Sequence, residues 1–243
     1  AGFSGGRKSI LPGVAGRESI QFNHSRMVDL IGDLPPIEKN EISQEMIEAA
    51  NLVGVDFILN VVTNSKKEIV EVVAGDLETA WLAGVKTSAD MYHVELDKKV
   101  DVALVSAGGY PKDINIYQSQ KALDNADGAV KNGGTIVLLA ECRSGLGEEI
   151  FEDWLEDSKK PEDNVERIKE KFIIGGHKAF AISKVVLEKE FILISELNQE
   201  ITETMFATKV NSLDEALTMV NDKYDNYESI VLPQGGLTVP VIR

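Results

Sequence analysis

A glycine-rich segment that runs straight into two cations, Gly5-Gly6-Arg7-Lys8, is the first place in this sequence where residue type and spacing could do chemistry. Glycines leave backbone amides exposed and allow close approach. The Arg7 guanidinium is a planar clamp for an anion, and the Lys8 amine is a covalent anchor if it is desolvated. A flexible, solvated basic loop has the same composition, so spacing alone leaves both readings open. Two better-known motifs are set aside. Gly2-Phe3-Ser4-Gly5-Gly6 matches the nucleophile elbow of α/β-hydrolases, but that turn leads from a strand into a helix, and here Pro12 follows. Gly6-Arg7-Lys8-Ser9 ends like a P-loop without its earlier glycine and four-residue spacer.

A second cluster follows an apolar run over 100–107, which ends in Gly108-Gly109-Tyr110-Pro111-Lys112. Asp113 is a plausible N-cap for a helix predicted over 114–131. That would start a helix at the C-terminal edge of a strand, where helix amides face the crevice in which α/β proteins hold ligands. Within the helix Tyr117 and Lys121 are four apart and Gln118 and Lys121 three apart, so a phenol, an amide and an ammonium share one face. The set suits a small hydroxy-carboxylate. The plainer alternative is an amphipathic helix with a polar outer face.

The three histidines, His24, His93 and His177, lack the spacing of a helical metal pair, and Cys142 has no second thiol, so no local zinc site is predicted. His24 lies in Asn23-His24-Ser25-Arg26, where an irregular segment could aim it into a cleft. His177, in Gly175-Gly176-His177-Lys178-Ala179, has a weaker claim of the same kind. Ser144-Gly145-Leu146-Gly147 follows an apolar run over 135–140 and could offer amides to a phosphate. Ile150 stands where the dinucleotide fingerprint has its third glycine, so support for a dehydrogenase is slight.

The elements that must position these groups alternate. Apolar, β-branched runs over 55–62, 69–74, 100–107, 135–140, 191–195 and 229–232 read as strands. Stretches over 43–52, 76–89, 114–131, 165–172 and 212–224 carry apolar residues at helical spacing. The alternation predicts an α/β fold with a mainly parallel sheet flanked by helices. It is preceded by an irregular N-terminal arm over 1–40 that is broken by Pro12, Gly13, Gly16, Pro35 and Pro36, leaving 41–243 as the α/β domain. The charge-rich stretch 141–170 reads as solvated helix and loop.

The 243 residues, 43% of them hydrophobic, suffice for one large core or two small ones. With 40 acidic and 25 basic residues the net charge is −15, which would repel nucleic acid and anionic membranes. No apolar run approaches the roughly 20 residues of a membrane helix. A single cysteine and no recognisable leader predict a reducing, cytoplasmic location. The opening Ala1-Gly2-Phe3-Ser4, without methionine and already inside a motif, suggests a piece of a longer chain.

Taken together, Gly5-Gly6-Arg7-Lys8-Ser9-Ile10-Leu11-Pro12-Gly13, His24, Gly108-Gly109-Tyr110-Pro111-Lys112-Asp113, Tyr117-Gln118-Ser119-Gln120-Lys121 and Gly176-His177-Lys178-Ala179 are similar, in collinear order, to the nickel-dependent lactate racemase family. The resemblance implies a nickel-pincer nucleotide. This is a pyridinium mononucleotide tethered to a lysine as a thioamide, holding Ni(II) through two sulfurs, one ring carbon and a histidine nitrogen. The matching lysine is Lys8 and the matching ligand is His24, an arrangement reasonable for Ni(II). The resemblance further implies that Tyr117, Gln118 and Lys121 face cofactor and 2-hydroxy acid, with Lys121 on the carboxylate. A histidine base would take the hydroxyl proton while hydride moves to the pyridinium, and hydride return to the other face would invert the centre.

The family draws its acid/base histidines and a cofactor-binding segment from a region before the Gly-Gly-Arg-Lys motif. The expectation is therefore that this chain is the C-terminal portion of a 2-hydroxy acid racemase, inactive alone, whose partners are a missing N-terminal domain and a small 2-hydroxy acid such as lactate. His93 and His177 do not match the family's acid/base positions. A non-catalytic small-molecule binding module is the alternative, and a nicotinamide-dependent dehydrogenase a more distant one.

Overall fold

The computed structural model describes residues 2–28 and 37–243, Glu38 by its backbone alone. The chain divides into two compact units at His93/Val94. The division thus falls well beyond residue 40, where the sequence suggested it. The glycine-rich segment and the elements that follow it up to residue 93 belong to one unit.

In the first unit a 3-10 turn at Gly6–Ser9 leads to helix α1 (Arg17–Ser25) and then to α2 (Glu41–Val53). Strands β1 (Ile58–Thr63) and β2 (Ile69–Gly75) and helix α3 (Leu77–Tyr92) complete it. The described part of the arm is therefore less irregular than its glycines and Pro12 predicted, because nine of its residues form α1, while Pro35 and Pro36 lie outside the described residues. Strands β1 and β2 pair antiparallel, Val61 opposite Val72, and form a separate two-stranded sheet. Their five-residue connection is too short for the crossover that parallel pairing needs. One face of this hairpin packs on α3 through Ile58, Val62 and Val73, while Leu59, Val61, Val70 and Val72 on the other stay more than half exposed. The core gathers Ile47, Ala50, Ile58, Leu77, Ala80 and Trp81, with Leu11, Ile42 and Met46 in a second cluster.

Strand β3 (His93–Leu96) begins on the last residue of the first unit and pairs with the last strand, and the second unit continues with β4 (Val100–Ser106). Next come α4 (Ile116–Asp127), β5 (Val130–Leu139), α5 (Glu149–Asp157), α6 (Pro161–Glu170) and α7 (Gly176–Glu188). Then follow β6 (Glu190–Ile194), α8 (Gln199–Thr204), β7 (Thr208–Val210), α9 (Leu213–Lys223), β8 (Ser229–Leu232) and β9 (Val239–Ile242). Five strands form an all-parallel sheet in the order β7-β6-β5-β4-β8. Val102, Val137 and Ile192 on one face bury against Ala216 and Val220 of α9, and α4 and α7 pack against the strands as well. Burial on both faces explains why these strands read as unbroken apolar runs. The order reverses beside β4, so the loops after β4 and β8 meet at the switch point, where Lys112 Nζ donates to Gln234 Oε1 at 2.9 Å. Among the described residues no helix is long and apolar enough to cross a membrane.

Candidate functional site

In the first unit the glycine-rich segment is tied down at several points. The Gly6 amide donates to Asn60 Oδ1 at 2.9 Å, and Trp81 Nε1 donates to the Ser4 carbonyl at 3.0 Å. Gly5 and Gly6 have φ of 83° and 50°, and a Cβ on either would stand 3.2 Å from Asn60 or Trp81, so both conformation and space call for glycine. Arg7 does not serve as the anion clamp that its type suggested. Its side chain is fully buried, with Nε donating to Ser43 Oγ at 3.1 Å, Nη1 to the Phe3 carbonyl at 3.3 Å, and the guanidinium 3.6 Å above the Trp81 ring. Burial lowers its pKa to about 10. Arg7 therefore fixes the turn, and the turn presents its neighbour Lys8, which is partly exposed and donates from Nζ to the Gly2 carbonyl at 2.9 Å.

His24 sits in the last turn of α1. Next to it Asn23, fully buried, donates from Nδ2 to the Ile42 carbonyl at 3.1 Å and to Glu45 Oε2 at 2.7 Å, which clamps α1 onto α2. The imidazole is half-buried, and burial foremost, with positive charge including that of Lys8, lowers its pKa and favours the neutral ring. Nδ1 of His24 is buried and has no hydrogen-bond partner among the described residues. An unsatisfied nitrogen on a neutral ring is a donor available to a metal. Among the described residues no cluster of three or more His, Cys, Asp or Glu could hold a metal ion.

In the second unit α4 begins at Ile116 and ends at Asp127, shorter than the predicted 114–131, because Val130 already belongs to β5. Its N-cap is Asn115, which accepts from the Gln118 amide at 2.9 Å, and not Asp113. Asp113 instead accepts from the Cys142 amide through its carbonyl. The amides of Ile116 and Tyr117 donate to the carbonyls of Gly145 and Leu146, so the helix start is closed to an anion. The loop Ser144-Gly145-Leu146-Gly147 is closed too. Three of its amides donate to Ile114 O, Cys142 O and Glu152 Oε1, and carboxylates of Glu148 and Glu152 occupy the start of α5. The dinucleotide reading loses its donors.

Tyr117 is half-buried, its ring edge-on to Phe151 at 5.6 Å, and burial, with the Glu148 charge second, raises its pKa. Gln118 and Lys121 are exposed. The three thus share one helix and border solvent, as the spacing predicted. A shallow cleft of about 400 Å³ at the strand ends is lined by Asp113, Glu141 and Glu196 among others. Those acids suit a carboxylate poorly, whereas Lys121 on α4 suits it well. His177 is taken up locally, its Nδ1 accepting from the Gly175 amide at 3.1 Å, and His93 lies against Phe3 with ring centroids 5.7 Å apart. Lys8 and His24 therefore belong to the first unit and Tyr117, Gln118 and Lys121 to the second. Reasoning from sequence missed Asn60 and Trp81, which hold the glycine turn, and quoted Asn23 and Lys178 only as neighbours within motifs.

A parallel α/β domain with an α4 face of this kind, preceded by a lysine-presenting glycine turn, defines a narrow class. The lactate racemase C-terminal domain matches residues 96–241, and the lactate racemase N-terminal domain matches residues 1–34. The chain is 36% identical over 243 residues to a lactate racemase of Thermoanaerobacterium thermosaccharolyticum, covering 97% of this chain and 57% of the relative. It is 32% identical over 252 residues to one of Lactiplantibacillus plantarum, covering 99% and 58%. The lactate racemase apoprotein structure from T. thermosaccharolyticum superposes with a TM-score of 0.91 at 35% identity, over 99% of this chain and 60% of that one. A crystal structure of a Thermotoga maritima protein, 15% identical, shares the fold with a TM-score of 0.71 over 98% of this chain and 63% of that one. The chain belongs to the lactate racemase family and spans somewhat more than half the length of these relatives.

Proposed function

We infer that this chain carries the cofactor-anchoring and substrate-positioning parts of a 2-hydroxy acid racemase, with lactate as the foremost substrate. The observation that carries the reading is the buried, unpartnered Nδ1 of His24 in the same unit as the glycine turn presenting Lys8. Both are positions where the family resemblance calls for a nickel ligand and a tether. The residues fit a nickel-pincer nucleotide: Lys8 offers the amine for the thioamide, and His24 offers one neutral nitrogen. When bound, that group supplies a hydride acceptor. Lys121 holds the carboxylate of the hydroxy acid by charge-assisted hydrogen bonds. Tyr117, whose pKa burial raises further above the ordinary phenol value, donates from its hydroxyl, and Gln118 adds an amide on the same helix. The proton of the substrate hydroxyl goes to histidines outside this chain, in the region that the relatives carry beyond the matched stretch, and the chain by itself does not turn over. The location is cytoplasmic, where Cys142 stays a thiol.

The test is intact mass and nickel content after coexpression with that further region and cofactor-making enzymes, followed by peptide mapping. Added mass on Lys8 with bound nickel, lost in Lys8→Ala, supports the reading. An unmodified Lys8 without nickel, where a lactate racemase relative is loaded in parallel, overturns it in favour of a small-molecule binding module.

A further inference from the structure

We propose that the cleft at the C-terminal ends of the parallel strands is a binding site for an organic cation, an ammonium or a guanidinium, with Asp113 as its principal acceptor. This goes beyond the racemase reading, since the cleft takes the charge opposite to that of a hydroxy acid. The cleft measures about 400 Å³, and the loops after β4, β5 and β6 deliver Asp113, Glu141 and Glu196 to it, while Asn211 follows β7. The C-terminal ends of parallel strands are where open α/β sheets hold their ligands.

Asp113 sets the charge of the ligand. It is only 8% exposed, so its carboxylate has been taken out of water. Oδ2 accepts the Glu141 amide at a long 3.4 Å, and Oδ1 is buried with no hydrogen-bond partner among the described residues. A buried carboxylate oxygen in that state is costly until a donor meets it, and a cationic donor meets it best. Aspartate χ2 is soft, so the carboxylate can turn an oxygen to a ligand in the cleft that its side chain lines. The ion pairs among the described residues involve none of Asp113, Glu141 and Glu196.

Three cations close by in sequence are committed elsewhere. Lys209 Nζ donates to the Ser195 carbonyl at 3.1 Å and to Asn211 Oδ1 at 3.4 Å, Lys112 Nζ donates to Gln234, and the Arg143 guanidinium lies 4.3 Å over the Tyr110 ring. Asp113 is buried, Glu141 half-buried and Glu196 exposed, so an entering cation meets an acid at each depth. These three acids do not form a group that could hold a metal ion. An N–H donor has no need of such convergence, because each of its hydrogens serves one oxygen. An anion has no place here, since the amides that open α4 already donate to Gly145 and Leu146.

The probe is methylguanidinium, titrated into the chain at fixed ionic strength and followed by the backbone amide resonances of Glu141 and Cys142, which both donate to Asp113. Tetramethylammonium carries the same charge without N–H groups and controls for diffuse attraction to the net charge of −15. Saturable shifts with methylguanidinium and none with tetramethylammonium are expected. Asp113→Asn, which keeps the side chain's shape, should weaken binding about tenfold, the loss of one charge-assisted hydrogen bond. If Asp113→Asn loses the dispersion of its other amide resonances, Glu196→Gln on the exposed side carries the test, with an expected loss of about threefold. Equal shifts with both cations, shifts that do not saturate, or an affinity unchanged by the substitutions overturns the proposal. A repeat on the chain coexpressed with the further region of its relatives separates two sources of the same chemistry. Binding kept there supports a free small cation, and binding lost there but present in the chain alone supports a Lys or Arg side chain of that region. None of these readouts involves Lys8, His24 or nickel, so failure here leaves the racemase reading standing.

Discussion

Replacing Asn23 with alanine should release α1, and with it His24, while leaving the fold of both units in place. The side chain is fully buried and donates to the Ile42 carbonyl at 3.1 Å and to Glu45 Oε2 at 2.7 Å. A neutral hydrogen bond contributes about 1 kcal/mol net, and one to a carboxylate about 2 kcal/mol, so together they stabilise the docked helix by roughly 3 kcal/mol. Other contacts add less. The ion pairs from Arg26 to Glu41 and Glu45 are long, at 3.5 and 3.8 Å, and all three groups reach solvent at least in part. A helix of nine residues has no stability by itself in water, so its amides report docking directly. Hydrogen-exchange mass spectrometry should show the amides of 20–25 exchanging on the order of a hundredfold faster in Asn23→Ala, with β4, β5 and β6 unchanged. A cycle with Glu45→Ala should return a coupling of about 1 to 2 kcal/mol. Unchanged protection across α1, or a coupling near zero, would refute the idea that this clamp sets the place of His24.

Three further outcomes are expected. Gly176→Ala puts a Cβ 2.4 Å from Trp154, an overpacking of about 2 kcal/mol or more that lowers the thermal midpoint by several degrees and shifts Trp154 fluorescence. Burial pushes the Cys142 thiol up to about 12, so a thiol reagent at pH 8 should leave native protein unlabelled and label it once guanidinium unfolds it. Asp101 is held below the usual carboxylate range, chiefly by the Lys131 ammonium at 2.7 Å and next by the Glu228 amide. A depressed folded pKa contributes stability above the ordinary value of about 3.9 that is lost as pH falls through the folded value. Asp101→Asn should therefore flatten the acid side of an unfolding curve measured below about pH 4, and an unaltered slope would contradict this.

The parallel sheet was legible because strands such as Val100–Ser106 are buried on both faces and so form unbroken apolar runs. The connection over 64–68 already ruled out a parallel β1–β2 pair, a constraint of length that composition does not display. Helix α1 was hidden because only Asn23 on it is buried, so it has no apolar stripe to set against the surrounding glycines and prolines. Helix α7 opens on two glycines without a side-chain cap. That Tyr117, Gln118 and Lys121 share one helix was legible because their spacing is helical. The supports of the glycine turn were not, since Asn60 reaches Gly6 across 54 residues and Trp81 reaches Ser4 across 77. Tertiary hydrogen bonds of that span leave no periodic trace. Arg7 shows the reverse error, because its type promised a ligand contact and its burial under Trp81 made it a brace.

The amide bonds from Ile116 and Tyr117 to the carbonyls of Gly145 and Leu146 bear on how this site can change over evolutionary time. Helix α4 is anchored by its backbone and by buried residues such as Ser119, Leu123 and Ala126, and positions 118 and 121 contribute almost nothing to that anchoring. Exposed helical positions of this kind accept most side chains at a cost within about 0.5 kcal/mol. Side chains of other size or charge can be tried at Gln118 and Lys121 without first acquiring compensating stability. The scaffold thus separates the positions that hold α4 in place from the exposed ones that are free to diversify, and single substitutions on one exposed turn change that face without disturbing the fold.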